Sequence, residues 1–119
     1  MGGIGAPGVV SLRRRADFLA AARARRQAMP GMVVQARDRG DTGPVRLGLT
    51  CSKKVGNAVA RNRAKRRLRA CARAVLPASG RPGWDYVLIG RAGATAARPF
   101  DALAADLTRA LSRLHGARG

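Results

Sequence analysis

Glutamate is absent from this sequence, and six Asp stand against 24 Lys and Arg, leaving a formal charge of +18 on 119 residues. A genome rich in Ala, Arg and Gly codons accounts for some of the arginine, but it does not discard nearly every acid. Self-repulsion on this scale works against a compact state unless a polyanion normally neutralises it. Nucleic acid is the leading candidate, with a membrane surface far behind.

Other shortages narrow the chemistry. Aromatics are 3% of the chain, so the core must be mostly Ala, Leu and Val. His115 is the only histidine, and the acids are scattered at Asp17, Asp38, Asp41, Asp85, Asp101 and Asp106. No pair of close carboxylates suggests general acid–base work or metal binding, and His115 reads as a partner of a helix C-terminus. We therefore expect no catalytic residue and no metal ligand in this chain. Cys51 and Cys71 show neither CxxC nor Cys/His spacing and read as small buried hydrophobes in a reducing compartment. No run of 18 apolar residues exists, so no membrane-spanning helix is expected. The opening MGGIGAPGVVSL has no charged leader before its apolar stretch, so no secretory signal is expected and the location reads as cytoplasmic.

What is present fits one globular domain, with hydrophobic residues at 46%. Residues 1–11 read as a flexible tail and 12–119 as the domain. Arg13–Arg26 reads as a helix with Phe18, Leu19 and Ala22 on one face, ended by Pro30 and Gly31. Met32–Arg37 alternates as a strand, with Val33, Gln35 and Arg37 opposite Met32, Val34 and Ala36. The turn-rich DRGDTGP at 38–44 suits a link between two antiparallel strands. The next strand, Val45–Ser52, has an apolar side (Val45, Leu47, Leu49, Cys51) and a polar side (Arg46, Gly48, Thr50). Asn57 is a candidate N-cap for a helix running to about Val75, stopped by Pro77 and the SGRPG stretch. Trp84–Gly90 is a strand whose unbroken Tyr86–Ile89 run predicts burial on both faces. Ala92–Arg98 reads as a loop. A final helix starts at Pro99, with Phe100, Leu103, Leu107, Leu111 and Leu114 forming its apolar stripe. The result is an α+β sandwich with room for one more short strand near Met32.

The charge concentrates between Thr50 and Val75. On a helix at roughly 100° per residue, Ala60, Ala64, Leu68, Cys71 and Val75 gather within an arc of roughly 80° that must face the sheet. Arg61, Lys65, Arg69 and Arg73 run along one edge of that stripe. Arg63 and Arg67 run along the other, with Arg66 between and Asn62 beside Lys65, Arg69 and Arg73. A solvated helix face would mix signs, because like charges four residues apart repel. This helix has two such rows and no acid. Its circumference is too broadly basic for a helix-turn-helix reader of duplex DNA, which favours folded RNA recognised by shape and backbone.

The order Ser52-Lys53-Lys54-Val55-Gly56-Asn57-Ala58-Val59, then Arg61-Asn62-Arg63, then Lys65-Arg66-Arg67-Leu68-Arg69 resembles the signature of the bacterial ribonuclease P protein subunit. Arg15-Ala16-Asp17-Phe18, Arg46-Leu47-Gly48-Leu49 and Asp85-Tyr86-Val87-Leu88-Ile89 extend the likeness over nearly the whole chain. The resemblance implies an α-β-β-β-α-β-α two-layer sandwich with a left-handed βαβ crossover, similar to a ribosomal protein domain and a domain of elongation factor G. It also implies a partner, the ribonuclease P RNA, which uses Mg2+ to remove the 5′ leader of precursor tRNA, and no obligate protein partner. Its RNA contacts would be Lys53, Lys54, Arg61, Asn62, Arg63, Lys65, Arg66, Arg67, Arg69 and Arg73. A groove for the tRNA leader would be walled by Phe18, Val33, Gln35, Thr50, Arg61, Asn62, Lys65 and Arg69. Phe18 reads equally well as core. Ala22 and Gln35 stand where the family often has aromatics, which weakens base stacking and leaves Gln35 to hydrogen-bond a base or ribose. The competing reading is a basic ribosomal-type RNA-binding protein or RNA chaperone.

Overall fold

Seven residues, Trp84–Gly90, form the strand around which the sheet is built. The computed structural model describes residues 6–116. In chain order these form β1 (Val9–Ser11), α1 (Arg15–Ala22), β2 (Arg25–Ala28), β3 (Met32–Asp38), β4 (Val45–Thr50), α2 (Ala58–Ser79), β5 (Trp84–Gly90), α3 (Ala94–Ala97) and α4 (Phe100–Gly116). A 3-10 turn at Lys53–Val55 leads into α2. The strands lie in the order β1-β4-β5-β3-β2. β5 pairs antiparallel with β3 and parallel with β4.

That order explains the apolar run in β5. Tyr86, Leu88, Met32, Val34, Ala36 and Leu47 point to one face, where they meet Leu68, Cys71 and Leu76 of α2 and Leu103, Leu107 and Leu111 of α4. Each Leu fully buried there is worth about 1.5–3 kcal/mol relative to exposure. Val87 points to the other face, beneath Leu12, Phe18 and Ala21. The two-layer body is thus the sheet plus α2 and α4, while α1 covers only part of the opposite face.

Several expectations need correction. The first helix ends at Ala22, not Arg26, because Arg25–Ala28 pair with Ala36 through Val33 as a β-hairpin edge. Met29 N–H closes the hairpin on the Met32 carbonyl at 2.8 Å. Charged side chains on an edge strand also discourage further strand pairing. On α1, the buried contact is Ala21, whereas Leu19 and Ala22 are exposed. The 38–44 loop does join strands of opposite direction, but β5 lies between them, so β3 and β4 are not a hairpin. α2 runs through Pro77 to Ser79. A proline so near the end removes a single helical N–H in the exposed last turn. Ala94–Ala97 is a helical turn within the expected loop.

Of the expected tail, residues 1–5 lie outside the described residues. Val9–Ser11 instead form β1, parallel to β4 from Val9↔Val45 to Ser11↔Leu47. Three residues are too short to show a period, which is why the sequence did not reveal this strand.

Candidate nucleic-acid interface

The entry to α2 is set by two short side chains. Ser52 Oγ accepts the Lys54 N–H at 3.2 Å, and Asn57 Oδ1 accepts the Ala60 N–H at 2.9 Å. These caps satisfy backbone donors that a helix start leaves without partners. They also hold Lys53 and Lys54, both exposed, directly before the basic helix. From there α2 buries Ala64, Leu68, Cys71, Ala72, Val75 and Leu76, which includes four of the five predicted stripe positions; Ala60 is half-buried.

Along one edge of this stripe Arg61, Lys65 and Arg69 are half-buried, with Arg73 exposed beyond them. Burial pushes the Cys51 thiol pKa up, against the Gly90 backbone hydrogen bond and the positive charges of Lys65 and Arg61. Those two cations therefore stand beside the end of β4. Asn62, Arg63 and Arg66 are exposed on the outer face.

Arg67 belongs elsewhere. Its Nε donates to the Thr95 carbonyl at 2.9 Å, and its Nη2 donates to the Arg98 carbonyl. The guanidinium predicted to meet RNA is thus turned toward α3 and ties α2 to it. Its partner Thr95 is fully buried; its Oγ1 accepts the Arg91 N–H and donates to the Gly31 carbonyl, both at 2.7 Å.

The groove predicted between α1 and the sheet exists in part as a cavity of about 200 Å³, lined by Ser11, Leu12, Phe18, Gly48, Lys65 and Arg69 among others. Its shape depends on Gly48, where a Cβ would stand 2.4 Å from Phe18 Cε1. Strand registers place the other predicted wall residues relative to it. Gln35, Val87 and Gly48 form one row across the sheet, and Val33, Ile89 and Thr50 form the next. Side-chain alternation puts both rows on the α1 face. Val33 and Gln35 are buried, whereas Thr50 and Ile89 are half-exposed. Phe18, Lys65 and Arg69 therefore converge on one cavity, with Val33, Gln35 and Thr50 in the adjoining sheet surface. Arg61 lies near Cys51, and Asn62 on the outer helix face. Sequence reading missed Ser11, the last residue of the expected tail, and Leu12 directly after it, both of which line the cavity. It also missed Arg91, which shares an open dent of about 420 Å³ with Val59 and Arg63.

The acids are drawn away from this surface. Asp85, fully buried, receives Arg46 through Nε and Nη2 at 2.7 and 2.9 Å and Arg39 through Nη1 at 2.7 Å. Asp17 of α1 pairs with Arg37 at 3.4 Å and Arg46 at 3.5 Å, fastening α1 to the sheet. Asp106, also fully buried, takes Arg98 at 2.6 Å and the Gly31 N–H at 3.0 Å. Among the described residues no carboxylate forms an ion pair with Lys53, Lys54, Arg61, Arg63, Lys65, Arg66 or Arg69. A helix face of uncompensated Arg and Lys beside an aromatic groove can grip phosphates and hold a strand. Among the described residues no helix is long and apolar enough to cross a membrane.

Known proteins are similar to this chain in sequence and in fold. The ribonuclease P protein component of Ruegeria pomeroyi is 67% identical over 110 residues, covering 91% of this chain and 88% of that protein. That of Gluconacetobacter diazotrophicus is 51% identical over 109 residues, covering 91% and 92%. The ribonuclease P protein from Thermotoga maritima superposes with a TM-score of 0.72 at 28% identity, covering 87% of this chain and 96% of that one. The Staphylococcus aureus protein gives 0.71 at 26%, covering 88% and 94%. A family model described as Ribonuclease P matches residues 7–115, and the chain accordingly belongs to the ribonuclease P protein family.

Proposed function

We propose that this chain binds the catalytic RNA of ribonuclease P and the 5′ leader of precursor tRNA, and so assists removal of that leader in the cytoplasm. The observation that carries this reading is the Arg61–Lys65–Arg69 edge, which has no acid partner among the described residues and whose Lys65 and Arg69 line the Phe18 groove. Lys53, Lys54, Arg63 and Arg66, all exposed, extend the same charge toward the RNA partner. The groove holds the leader strand, with Phe18 offering a ring face and Thr50 and Gln35 offering hydrogen bonds.

Hydrolysis is assigned to the RNA. Mg2+ asks for several oxygen ligands. The two buried acids here, Asp85 and Asp106, are saturated by arginines, and among the described residues no three His, Cys, Asp or Glu side chains converge. Among the described residues no donor set fits a Mg2+ site, and the reading assigns the ion to the RNA partner. What the protein supplies is charge neutralisation and alignment of the leader, effects that matter most when Mg2+ is scarce.

The test mixes the chain with ribonuclease P RNA and precursor tRNA at low Mg2+. Leader removal that requires both components supports the proposal. Cleavage by the protein alone would overturn the assignment of chemistry to the RNA. No effect of the protein would favour a general basic RNA-binding role.

A further inference from the structure

A second basic cavity lies at the other end of the sheet, on the face that carries α4. It measures about 630 Å³ and is lined by Arg25, Asp38, Arg81, Trp84 and His115. β5 runs from Trp84 at this cavity to Gly90 beside Cys51, so about 20 Å of strand separates it from the Arg61–Lys65 edge.

The cavity is held rigid by its backbone. Arg81-Pro82-Gly83-Trp84 has the arrangement of a type II turn, with Trp84 N–H on the Arg81 carbonyl at 3.1 Å and Gly83 at φ +81. A Cβ on Gly83 would stand 2.2 Å from the Asp41 carbonyl oxygen, so the turn is seated against the β3–β4 loop. The Arg81 N–H donates to Tyr86 Oη at 3.0 Å. Arg81 and Trp84 are thereby presented side by side. Trp84 is braced edge-on by His115 at 4.3 Å between ring centres and remains partly exposed. On the opposite wall Arg25 uses one Nη1 bond, 2.7 Å to the Leu114 carbonyl, and retains further N–H donors. Two guanidinium groups, the only tryptophan of the chain and one carboxylate thus surround one concave space.

We propose that this cavity binds a nucleotide, its base against Trp84 and its phosphate between Arg81 and Arg25. The chemistry is that of single-strand recognition, where a ring gives a sequence-tolerant stacking surface and arginines take the phosphate. Asp38, which pairs with Trp84 across β3 and β5, offers an acceptor to an exocyclic amino group. The nucleotide is either an unpaired residue of an RNA strand or a free mononucleotide. This site is additional to the α2 face and does not depend on the ribonuclease P reading.

Because Trp84 is the only tryptophan, its fluorescence in the full chain without RNA reports this site alone. Titration with AMP should give saturable quenching. Adenosine should bind about tenfold or more weaker, as should AMP to Arg81→Ala, since each removes one half of a charge-assisted contact. Lys65→Ala should leave the titration unchanged. A single-stranded oligoribonucleotide binding more tightly than AMP identifies an RNA strand as the ligand, and equal affinity identifies a free mononucleotide. The proposal is overturned by no saturable quenching up to about 10 mM AMP, a range that would still detect millimolar binding. Adenosine matching AMP, or Arg81→Ala matching the parent chain, overturns it equally. Arg81 is exposed and its turn is held by backbone atoms, so the variant tests binding with the fold retained.

Discussion

Phe18 lies over Gly48 so closely that a Cβ at position 48 would stand 2.4 Å from its ring. This contact joins the docking of α1 to the floor of the cavity. The ring is both packed against Val87 and part of the cavity wall. Gly48→Ala should push the ring away and cost about 1–3 kcal/mol, the usual range for overpacking. Thermal unfolding measures the loss. A leader-binding assay on the surviving folded protein should show weaker binding as well; an unchanged groove affinity would separate the ring from leader recognition.

Lys65 and Arg69 should behave in the opposite way. Both are half-buried on an edge with no acid partner among the described residues, so Lys65→Ala and Arg69→Ala should leave the unfolding midpoint nearly unchanged. If the intact face engages about 6–10 phosphates, its RNA affinity falls roughly 10³–10⁵-fold between 50 and 200 mM salt. Each substitution should weaken binding and reduce the salt slope by about 1. A large drop in midpoint without a change in slope would make this edge structural.

Arg67 stands in the same charge-rich run but should act on stability. Arg67→Ala removes two hydrogen bonds to the Thr95 and Arg98 carbonyls and should cost about 1.5–3 kcal/mol, the range for charged donors. Its salt slope for RNA should match that of the parent chain. Comparing denaturant unfolding with salt titrations of the same protein distinguishes Arg67 from Lys65.

His115 supplies a pH dependence with a definite sign. Burial, with Arg81 and Arg25 nearby, lowers its pKa from 6.5 to about 4, against a smaller opposing effect of Asp38. The unfolded chain therefore takes up a proton at a higher pH than the folded chain. The stability linked to neutral His115 is complete above pH 6.5 and is lost as pH falls toward about 4. His115→Gln keeps a hydrogen-bonding group for Tyr86 Oη, now 2.6 Å from Nε2, and should flatten this part of the profile. Unfolding midpoints of both proteins across that window measure the difference, and parallel curves would refute the linkage.

The positions that sequence reading misjudged share one cause. Arg25 and Arg26 looked like the last residues of a helix, but the partners of Arg25–Ala28, Ala36 to Val33, lie across a turn and make the segment a strand. Arg67 looked equivalent to Arg63, yet Arg67 faces two carbonyls and Arg63 faces an open dent. Arg46 looked like an ordinary polar position on a strand, and its charge is in fact spent on buried Asp85. In each case the deciding contact lies on another element.

By itself, the sequence determined the class of partner, the presence of the central strands and the last two long helices, and which helix carries the charge. Those are local or summed properties, readable from an acid-poor composition, a period of 2 or 3.6 residues, and a cap at Asn57. Only the tertiary structure decided that β5 lies between β3 and β4, that Val9–Ser11 complete the sheet, and which arginines remain available to a ligand. Strand order and the pairing of a guanidinium depend on residues tens of positions apart, as with Arg46 and Asp85 or Arg67 and Thr95. Chain closure, rather than local preference, brings such pairs together.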